Sequence, residues 1–471
     1  MKTRKFVLPL MAAFILGFSS CSKDDGPAYS ATVLKNTELM TVLKSKGYTF
    51  DQEGKLELND KANATVSLDL SGTKIADFTG LDILPNLKEV KLSDNGYGPS
   101  FDFAKLPKQI TGIDLTGNEI HNYDNLVKVE VEENGDETVT NLRDITKLYL
   151  PAEAKFNIKD LVRFYRKNEE NIKSGKMDVK MTDDNGALSK YNTLRTVPDE
   201  KIRANFKKYF SSIFDEDGIH IDINKQLSIK DKLNACVLNK AYGVKSAETL
   251  EGVQYIIENP YWEGKTFTIA LSKKVKLPYM NLTSGISYMY ISNVDVPDGM
   301  EFKNATKLTT ISWTTSTGLK KVDLSQSSEF GQRDIEMEQN GPHGSALIFI
   351  DCPDLTEIIL PSKTGLRAWQ IILANLTNFK KVDLSNFKLI ETLGIGDLPE
   401  DCAIVYPTLT EFHTHFNVTT YGCTQKTFDR QVTKDFIKKY FVNMNPQRLM
   451  ESTTLYFKPA IRGITWSSLI K

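Results

Sequence analysis

Cysteine is scarce in this sequence, with 5 among 471 residues, and none of them lies in a Cys-x-x-Cys pair. Small secreted domains held together by disulfides have a much higher cysteine density, and structural zinc sites usually need closely spaced thiolates. Neither arrangement is expected here. The four cysteines after the first are widely spaced: Cys236, Cys352, Cys402 and Cys423. The sequence leaves their redox state open.

An excess of one charge is also missing, since 59 basic residues face 60 acidic ones. A nucleic-acid partner is therefore not expected. The sequence contains no His-Glu-x-x-His zinc motif, no Gly-x-Ser-x-Gly nucleophile motif and no glycine-rich dinucleotide fingerprint. We therefore predict a protein that is not an enzyme and that needs no cofactor and no metal.

Long apolar runs are absent after Ser20. The opening segment, MKTRKFVLPLMAAFILGFSS, combines basic residues, a short apolar run and two small residues, which predicts a signal peptide over 1–20. The run is too short for a permanent membrane helix. Residues 21–33 are small, polar and charged, which indicates a flexible tether that begins at Cys21.

The junction Ser20-Cys21-Ser22, followed by Lys23-Asp24-Asp25, resembles the signals of Bacteroidetes surface lipoproteins. The resemblance implies that Cys21 carries acyl chains such as palmitate. It also implies an outer-membrane lipoprotein on the cell surface, attached to the membrane through its lipid anchor only. A periplasmic orientation, or an ordinary secretory signal, is the alternative.

Residues 34–151 are predicted to contain a capping helix that starts near Thr37 and, after it, a repeat. Leu70, Leu92 and Leu115 close three similar apolar patterns at nearly equal spacing. This spacing lies within the period of leucine-rich repeats, about 20–29 residues. Alternate strand residues would point into a shared core, and Asn or Thr at the following turn would bond the backbone.

The repeat pattern disappears over 152–276, where stripes such as Ile202, Phe206 and Tyr209 have helical spacing. We predict an α-rich insertion or small domain. The sequence leaves open whether it interrupts one solenoid or separates two. An enzyme housed in this segment, with His220 as its one histidine, is a less favoured alternative.

Repeats resume over 277–420 with segments such as LTTISW (308–313), LKKVDL (319–324), LTEIIL (355–360) and FKKVDL (379–384). The stretch from Cys352 to Pro361 resembles the Cys-x-x-Leu-x-x-Ile-x-Leu-Pro pattern of BspA-like leucine-rich repeats. That resemblance implies an α/β leucine-rich repeat solenoid, built of short parallel strands with irregular or helical returns. Residues 421–471 are predicted to form a carboxy-terminal cap.

The strand alternation predicts which side chains stand on the open, concave sheet face, where leucine-rich repeat proteins commonly bind. The predicted binding residues are Tyr288, Tyr290, Lys321, Asp323, Glu357, Lys381, Asp383, Glu411, His413 and His415. Mixed charges and two tyrosines favour an unknown protein or peptide as partner, in adhesion or recognition by a monomer. A glycan, bound by an accessory lipoprotein of a nutrient-uptake system, is the alternative.

A zinc site at Glu411, His413 and His415 is a further alternative, because all three would lie on one face of a strand. Residues two apart on a flat strand do not by themselves form a coordination site. A solvated patch that faces a partner is the favoured interpretation.

Overall fold

The computed structural model describes residues 27–132, 136–228, 235–334, 336–338, 341–396, 398–411, 417–419 and 430–439. They form a mixed α/β fold with many short strands and few helices, as the sequence predicts. The α-helices of these residues are α1 (Thr37–Ser45), α2 (Asp60–Ala64), α3 (Leu161–Lys173), α4 (Glu200–Tyr209), α5 (Val253–Ile257) and α6 (Gln431–Ile437). Short 3-10 helices are Leu81–Ile83, Phe103–Lys105, Ala152–Phe156, Ser211–Ile213 and Lys240–Tyr242.

The strands of the first half are β1 (Tyr29–Val33), β2 (Lys55–Glu57), β3 (Ser67–Asp69), β4 (Glu89–Lys91), β5 (Ser100–Asp102), β6 (Gly112–Asp114), β7 (Asn122–Asp124), β8 (Val127–Val131), β9 (Glu137–Asn141), β10 (Lys147–Leu150), β11 (Asp178–Thr182), β12 (Leu188–Lys190), β13 (Leu194–Thr196) and β14 (His220–Asp222).

The second half continues with β15 (Ala235–Asn239), β16 (Thr266–Lys276), β17 (Tyr288–Asp295), β18 (Thr310–Thr314), β19 (Lys321–Asp323), β20 (Glu336–Glu338), β21 (Gly341–His343), β22 (Ala346–Ile350), β23 (Glu357–Ile359), β24 (Leu366–Ala374), β25 (Lys381–Asp383), β26 (Phe387–Ile395), β27 (Ala403–Val405) and β28 (Asn417–Thr419).

Helix α1 begins and ends as its sequence predicts. The side chain of Asn36 accepts a hydrogen bond from the backbone N–H of Leu39 at 3.0 Å, which caps the helix. Leu39 and Leu43 are buried one turn apart. Gly47, at φ +82°, stops the helix because a left-handed residue cannot continue it. The helix predicted from Ile202, Phe206 and Tyr209 is confirmed as α4.

A six-stranded sheet has the order β12-β11-β10-β6-β4-β3, and all of its pairs are parallel except β11 with β12. Its register aligns Leu68, Val90, Ile113, Leu148 and Val179, one from each parallel strand. All five are buried. The repeat that the sequence predicts over 34–151 therefore corresponds to successive parallel strands over one core.

The turns after these strands are held by two buried asparagines. Asn118 accepts hydrogen bonds from the backbone N–H groups of Asn95 and Tyr97, at 3.0 and 3.1 Å, and donates to the carbonyls of Leu92 and Leu115. Asn95 in turn donates to Leu70 O, at 3.1 Å. Each asparagine thus satisfies backbone groups of its own turn and of a neighbouring one.

The second half of the chain alternates between two parallel sheets. One has eight strands in the order β15-β16-β17-β18-β22-β24-β26-β28, and the other has four in the order β19-β23-β25-β27. Strand β19 follows β18 along the chain, and β23 follows β22 at the same spacing. We call each such stretch of the chain, which contributes one strand to each sheet, a turn.

This alternation corrects one interpretation of the sequence. LTTISW and LKKVDL look like two successive repeats, but they are two strands of one turn, and they belong to different sheets. Both strands bury alternate residues in the same core, so their apolar patterns are alike. The true repeat is the full turn, from Leu347 to Ile371 and from Ile371 to Leu393.

Two turns are about half as long again as the full turns just described, and each of the two contains an antiparallel hairpin. The first long turn runs from Ile113 to Leu148 and includes β8 paired with β9. The second long turn runs from Ile311 to Leu347 and includes β20 paired with β21. In both, the parallel register of the flanking strands is kept, so the extra residues lie outside the repeated core.

The described part of residues 152–276, for which helices are predicted, contains α3, α4 and α5 together with strands β11 to β16. Of these, β11 extends the six-stranded sheet, whereas β15 and β16 begin the eight-stranded sheet. At the other end of the chain, residues 29–33 of the predicted tether form β1, which pairs with β2. The predicted signal peptide, Cys21 and most of the predicted cap after residue 420 lie outside the described residues.

The described residues form two buried apolar clusters. We call them the amino-terminal core, from Leu34 to Tyr191, and the carboxy-terminal core, from Ile158 to Phe436. Polar contacts join them. Asn122 donates to the Tyr279 hydroxyl at 2.8 Å and accepts from Asn281 at 2.7 Å, and the rings of His121 and Tyr279 stack at 4.3 Å.

Candidate functional site

The outward face of the eight-stranded sheet is the most distinctive surface that the repeats create. Register places Thr266 beside Tyr288, and Thr268, Tyr290 and Ser312 in the next row. The inward neighbours Phe267, Met289 and Ile311 are buried, so the alternation predicted from the sequence is present here. The tyrosine face, as we call it, comprises the partly or fully exposed positions Val237, Thr266, Thr268, Tyr288, Tyr290, Ser312, Thr314, Ile348, Ile350 and Gln370.

None of these ten positions carries a charged side chain, although a quarter of the whole chain is charged. Tyr290 is 42 % exposed, and partial burial together with the nearby Tyr288 raises its pKa, so its phenol is neutral at physiological pH. Further positions of the same rows are also uncharged and partly or fully exposed, namely Ala235, Asn239, Ala270, Ser292 and Thr392. The outward positions Thr310, Ala346, Ile372 and Ala374 are buried. The accessible part of the face is therefore an uncharged surface of hydroxyl, amide and apolar groups around two tyrosines.

The predicted charged binding residues lie elsewhere. Lys321, Asp323, Glu357, Lys381 and Asp383 belong to β19, β23 and β25 of the four-stranded sheet, not to the sheet that carries the two tyrosines. The single continuous face that the sequence predicts is therefore divided between two sheets. The cause is the alternation described above, since neighbouring apolar patterns in the sequence belong to different sheets.

The charges of the four-stranded sheet largely pair with one another. Lys321 lies 3.3 Å from Glu357, and Lys381 lies 3.0 Å from Asp383. A hydrogen bond from the Ser385 hydroxyl, with further help from Lys381, lowers the pKa of Asp383. Exposed pairs of this kind contribute at most about 1 kcal/mol each. This sheet therefore presents a solvated surface of balanced charge.

Glu411 is bound to two cations rather than free on a strand. Its carboxylate accepts from Arg367 Nε at 2.8 Å and lies 2.5 Å from Lys388 Nζ. These hydrogen bonds, that of Arg367 first, lower the pKa of Glu411 to about 2. His413 and His415 lie outside the described residues, and among those described no group of three histidine, cysteine or acidic residues is arranged to hold a metal.

His220, the histidine of the alternative catalytic segment, lies on β14 and bonds through Nδ1 to the carboxylate of Asp217. Two backbone N–H groups, of His220 and Ile219, also bond this carboxylate, and together with the His220 ring they hold the pKa of Asp217 well below its usual range. The three described cysteines, Cys236, Cys352 and Cys402, are buried as free thiols.

Comparisons with protein-family models, with curated proteins and with solved structures found no significant match. Within the described residues, the helices are all too short or too polar to span a bilayer.

Proposed function

We propose that this protein is a lipid-anchored leucine-rich repeat protein of the cell surface, which binds a protein or peptide partner through the tyrosine face. The observation that carries the proposal is the uncharged, partly exposed character of this face around Tyr288 and Tyr290. The protein would act as a monomer in recognition or adhesion, without catalysis.

The leucine-rich repeat part of the proposal is supported by period and by turn chemistry. The regular turns place one buried apolar residue of each strand in register, and their length of roughly 22 to 24 residues falls within the range of this repeat class. The buried turn residues Asn95 and Asn118 have the same role in consecutive turns. Stacked repeats of this kind form a broad surface that commonly binds partners.

A protein or peptide partner is supported by the chemistry of the tyrosine face. Tyrosine buries a large area with few rotatable bonds, which makes it a frequent hot-spot residue. Burying an uncharged surface also avoids the desolvation cost that unpaired charges would carry. The four-stranded sheet offers no comparable surface, because its lysines and carboxylates already neutralise each other.

The surface location is supported by the sequence that precedes the repeats. Cys21 after a short apolar run would receive two or more acyl chains, and two chains anchor a protein stably whereas one does not. The residues Lys23, Asp24 and Asp25 resemble the export signal of Bacteroidetes surface lipoproteins, which supports a location on the cell surface. Metabolic labelling with a palmitate analogue tests the anchor, and Cys21→Ala should abolish the label.

The binding proposal is tested by capture of partners from host and bacterial envelope extracts with the full chain, followed by affinity measurement. Replacing Tyr288 and Tyr290 together by alanine should weaken binding at least about thirtyfold, since a hot-spot tyrosine contributes about 2 kcal/mol. The matched control replaces Lys321 and Lys381, which are exposed on the four-stranded sheet, and should leave affinity within about twofold. Equal loss in both double variants, or no loss in the tyrosine variant, would refute the assignment.

A neutral glycan is the second candidate. The hydroxyls of Thr266, Thr268 and Ser312 flank the tyrosines in register, and aromatic rings with nearby hydroxyls also suit sugar rings. A glycan array separates the two candidates: binding to neutral glycans that the double tyrosine variant loses supports the second, and silence across the array supports the first.

A further inference from the structure

An open cleft of about 1090 Å³ lies at the junction of the two cores. We call it the seam cleft. Its walls come from hairpin β8–β9, the start of α3, the loop after α5, the loop before β17 and the loops around residues 303–307 and 329–333. Segments from the first and second halves of the chain therefore meet around one space.

The two long turns of the fold both reach this cleft. Val131 and Glu137, on the hairpin of the first long turn, line one side. Glu329 and Arg333, which shortly precede the hairpin of the second long turn, line another. In repeat proteins, insertions that depart from the period commonly build the binding surface. Two independent departures from the repeat period meet at this one cleft, which indicates that the cleft is a ligand site.

The floor of the cleft contains buried polar groups without partners. Glu258 is 6 % exposed, and its Oε1 accepts from the backbone N–H of Asn281 at 2.7 Å. Within the described part of the chain, Glu258 Oε2, Asn259 Nδ2 and Thr283 Oγ1 have no hydrogen-bond partner. Asn259 is 1 % exposed, and its Oδ1 already accepts from the Tyr261 N–H at 3.0 Å, so its amide donor is left over.

Unpaired groups of this kind are costly in a folded protein and are normally satisfied by a partner. An acid, an amide donor and a hydroxyl together match ligand hydroxyl groups, because a hydroxyl both donates and accepts. Burial raises the pKa of Glu258 to about 8, so its protonated form predominates at neutral pH and repels an anionic ligand less than an ordinary carboxylate would.

The rim of the cleft is positively charged. Arg163 and Arg333 are paired with Glu137 and Glu329, respectively. Four further lysines line the rim, all of them exposed: Lys159, Lys265, Lys303 and Lys307. One further carboxylate, that of Glu263, also lines the cleft, so the lysines remain in excess. Among the described residues, none of these four forms an ion pair with a carboxylate. The chain as a whole has almost equal numbers of basic and acidic residues, so this excess is local.

We propose that the seam cleft binds an acidic oligosaccharide, whose hydroxyls bond Glu258, Asn259 and Thr283 after these floor side chains turn towards it, and whose carboxylates contact the rim lysines. Lysines on separate segments suit several spaced carboxylates better than a single phosphate, which is usually held by converging backbone N–H groups. The cleft borders the tyrosine face, since Lys265 and Ser287 directly precede Thr266 and Tyr288, but the two share no residue. The cleft therefore adds a second ligand to the proposed function and does not depend on it.

Titration calorimetry of the full chain tests the proposal with three probes: hexagalacturonate, a hyaluronan hexasaccharide and the neutral cellohexaose. At least one acidic probe should bind at least tenfold more tightly than cellohexaose. Replacing Lys303 and Lys307 by alanine should weaken that binding about five- to thirtyfold, as expected for two exposed charge pairs. The control replaces Lys273 and Lys274, which are exposed outside the cleft, and should change affinity less than twofold.

A floor variant separates specific recognition from general attraction to cations. Asn259→Ala should lower affinity for the acidic probe about tenfold, with an unchanged circular dichroism spectrum. The Tyr288→Ala, Tyr290→Ala variant should bind the probe as the parent does, which distinguishes this site from the proposed partner face. Absence of binding to both acidic probes, equal binding of cellohexaose, or tighter binding of inorganic phosphate than of the acidic probes would overturn the proposal.

Discussion

The pH dependence of stability should reveal the two buried titratable groups at the junction of the cores. Burial raises the pKa of Glu258 from 4.5 to about 8, and burial lowers the pKa of His121 from 6.5 to about 4. The unfolded chain has the ordinary values of both groups. Each pKa unit of difference corresponds to about 1.4 kcal/mol of free energy of unfolding.

The two groups change the free energy of unfolding in opposite directions as pH rises. The folded state holds a proton on Glu258 that the unfolded state releases above pH 4.5, so this group makes stability fall as pH rises through about 8. His121 is neutral when folded and protonated when unfolded below pH 6.5, so it makes stability fall as pH decreases towards about 4. Between pH 4.5 and 6.5 the two effects cancel. Burial also raises the pKa of Asp160, so this group changes stability in the same direction as Glu258.

Above pH 6.5 only Glu258 of this pair still contributes. The remaining interval to pH 8 covers about 1.5 pKa units, which corresponds to a loss of about 2 kcal/mol in the free energy of unfolding. Glu258→Gln keeps the acceptor for the Asn281 N–H but cannot ionise, so the variant should lose no stability over the same interval. At pH 5.5, one unit above the unfolded-state pKa of Glu258, ionisation of the unfolded parent should already make the variant the more stable by about 1.4 kcal/mol, and this difference should grow as pH rises.

Urea unfolding of both proteins at pH 5.5, 6.5, 7.3 and 8.0 measures this difference. The fluorescence of Trp262 and Trp313, both buried in the carboxy-terminal core, reports on the unit that contains Glu258. Parallel stability curves for parent and variant between pH 6.5 and 8 would refute the reasoning. A parent curve that rises over this interval would also refute it.

Three further predictions concern the fold. Asn118→Ala should lower the free energy of unfolding by about 3 kcal/mol in urea titration, because four backbone groups, three of them in buried hydrogen bonds, lose this partner. The exposed Asn86→Ala should cost less than about 1 kcal/mol. Gly318→Ala should lower the melting temperature more than Gly299→Ala, because both glycines have φ near +80° but only at Gly318 would a Cβ lie 2.5 Å from neighbouring backbone; equal effects would contradict the clash. Cys236 should resist iodoacetamide in peptide mass spectrometry until urea unfolds the chain, since burial raises its pKa to about 12, and labelling of the native chain would disprove that burial.

Hydrophobic periodicity predicted those helices and strands in which buried residues recur at a regular spacing. Helix α1 starts after Asn36 and ends at Gly47, as the cap and stop signals indicate. The inward positions Met289 and Ile311 were likewise predicted, together with the outward Tyr288 and Tyr290. Each of these features depends on neighbours within a few residues, which a sequence pattern records.

The assignment of strands to sheets could not be predicted in this way. The segments around Ile311 and Val322 have the same apolar spacing, because both line one core from opposite sheets. A pattern of alternation gives the buried side of a strand but not the sheet to which it belongs. The predicted face was consequently drawn through residues of both sheets.

The seam cleft was missed for a different reason. Glu258 and Asn259 follow α5 in no recognisable motif, and their neighbours come from distant segments. The one available signal was the length of a turn, because the stretch from Leu324 to Leu360 is about half as long again as the stretch from Leu360 to Leu384. An insertion that keeps the repeat in phase can therefore indicate, from sequence alone, a loop that departs from the regular stack.

The two long turns also have a consequence for how this chain could diversify or be redesigned. A regular turn and a long turn deliver their next strand to equivalent positions, as the pairings of Leu347 with Ile371 and of Ile311 with Leu347 demonstrate. The length of a turn is thus uncoupled from the geometry of the stack. A hairpin of different sequence or length between Leu126 and Asn141 would alter the mouth of the cleft and leave the parallel strands in place, so new specificities are accessible through exchange of one short segment.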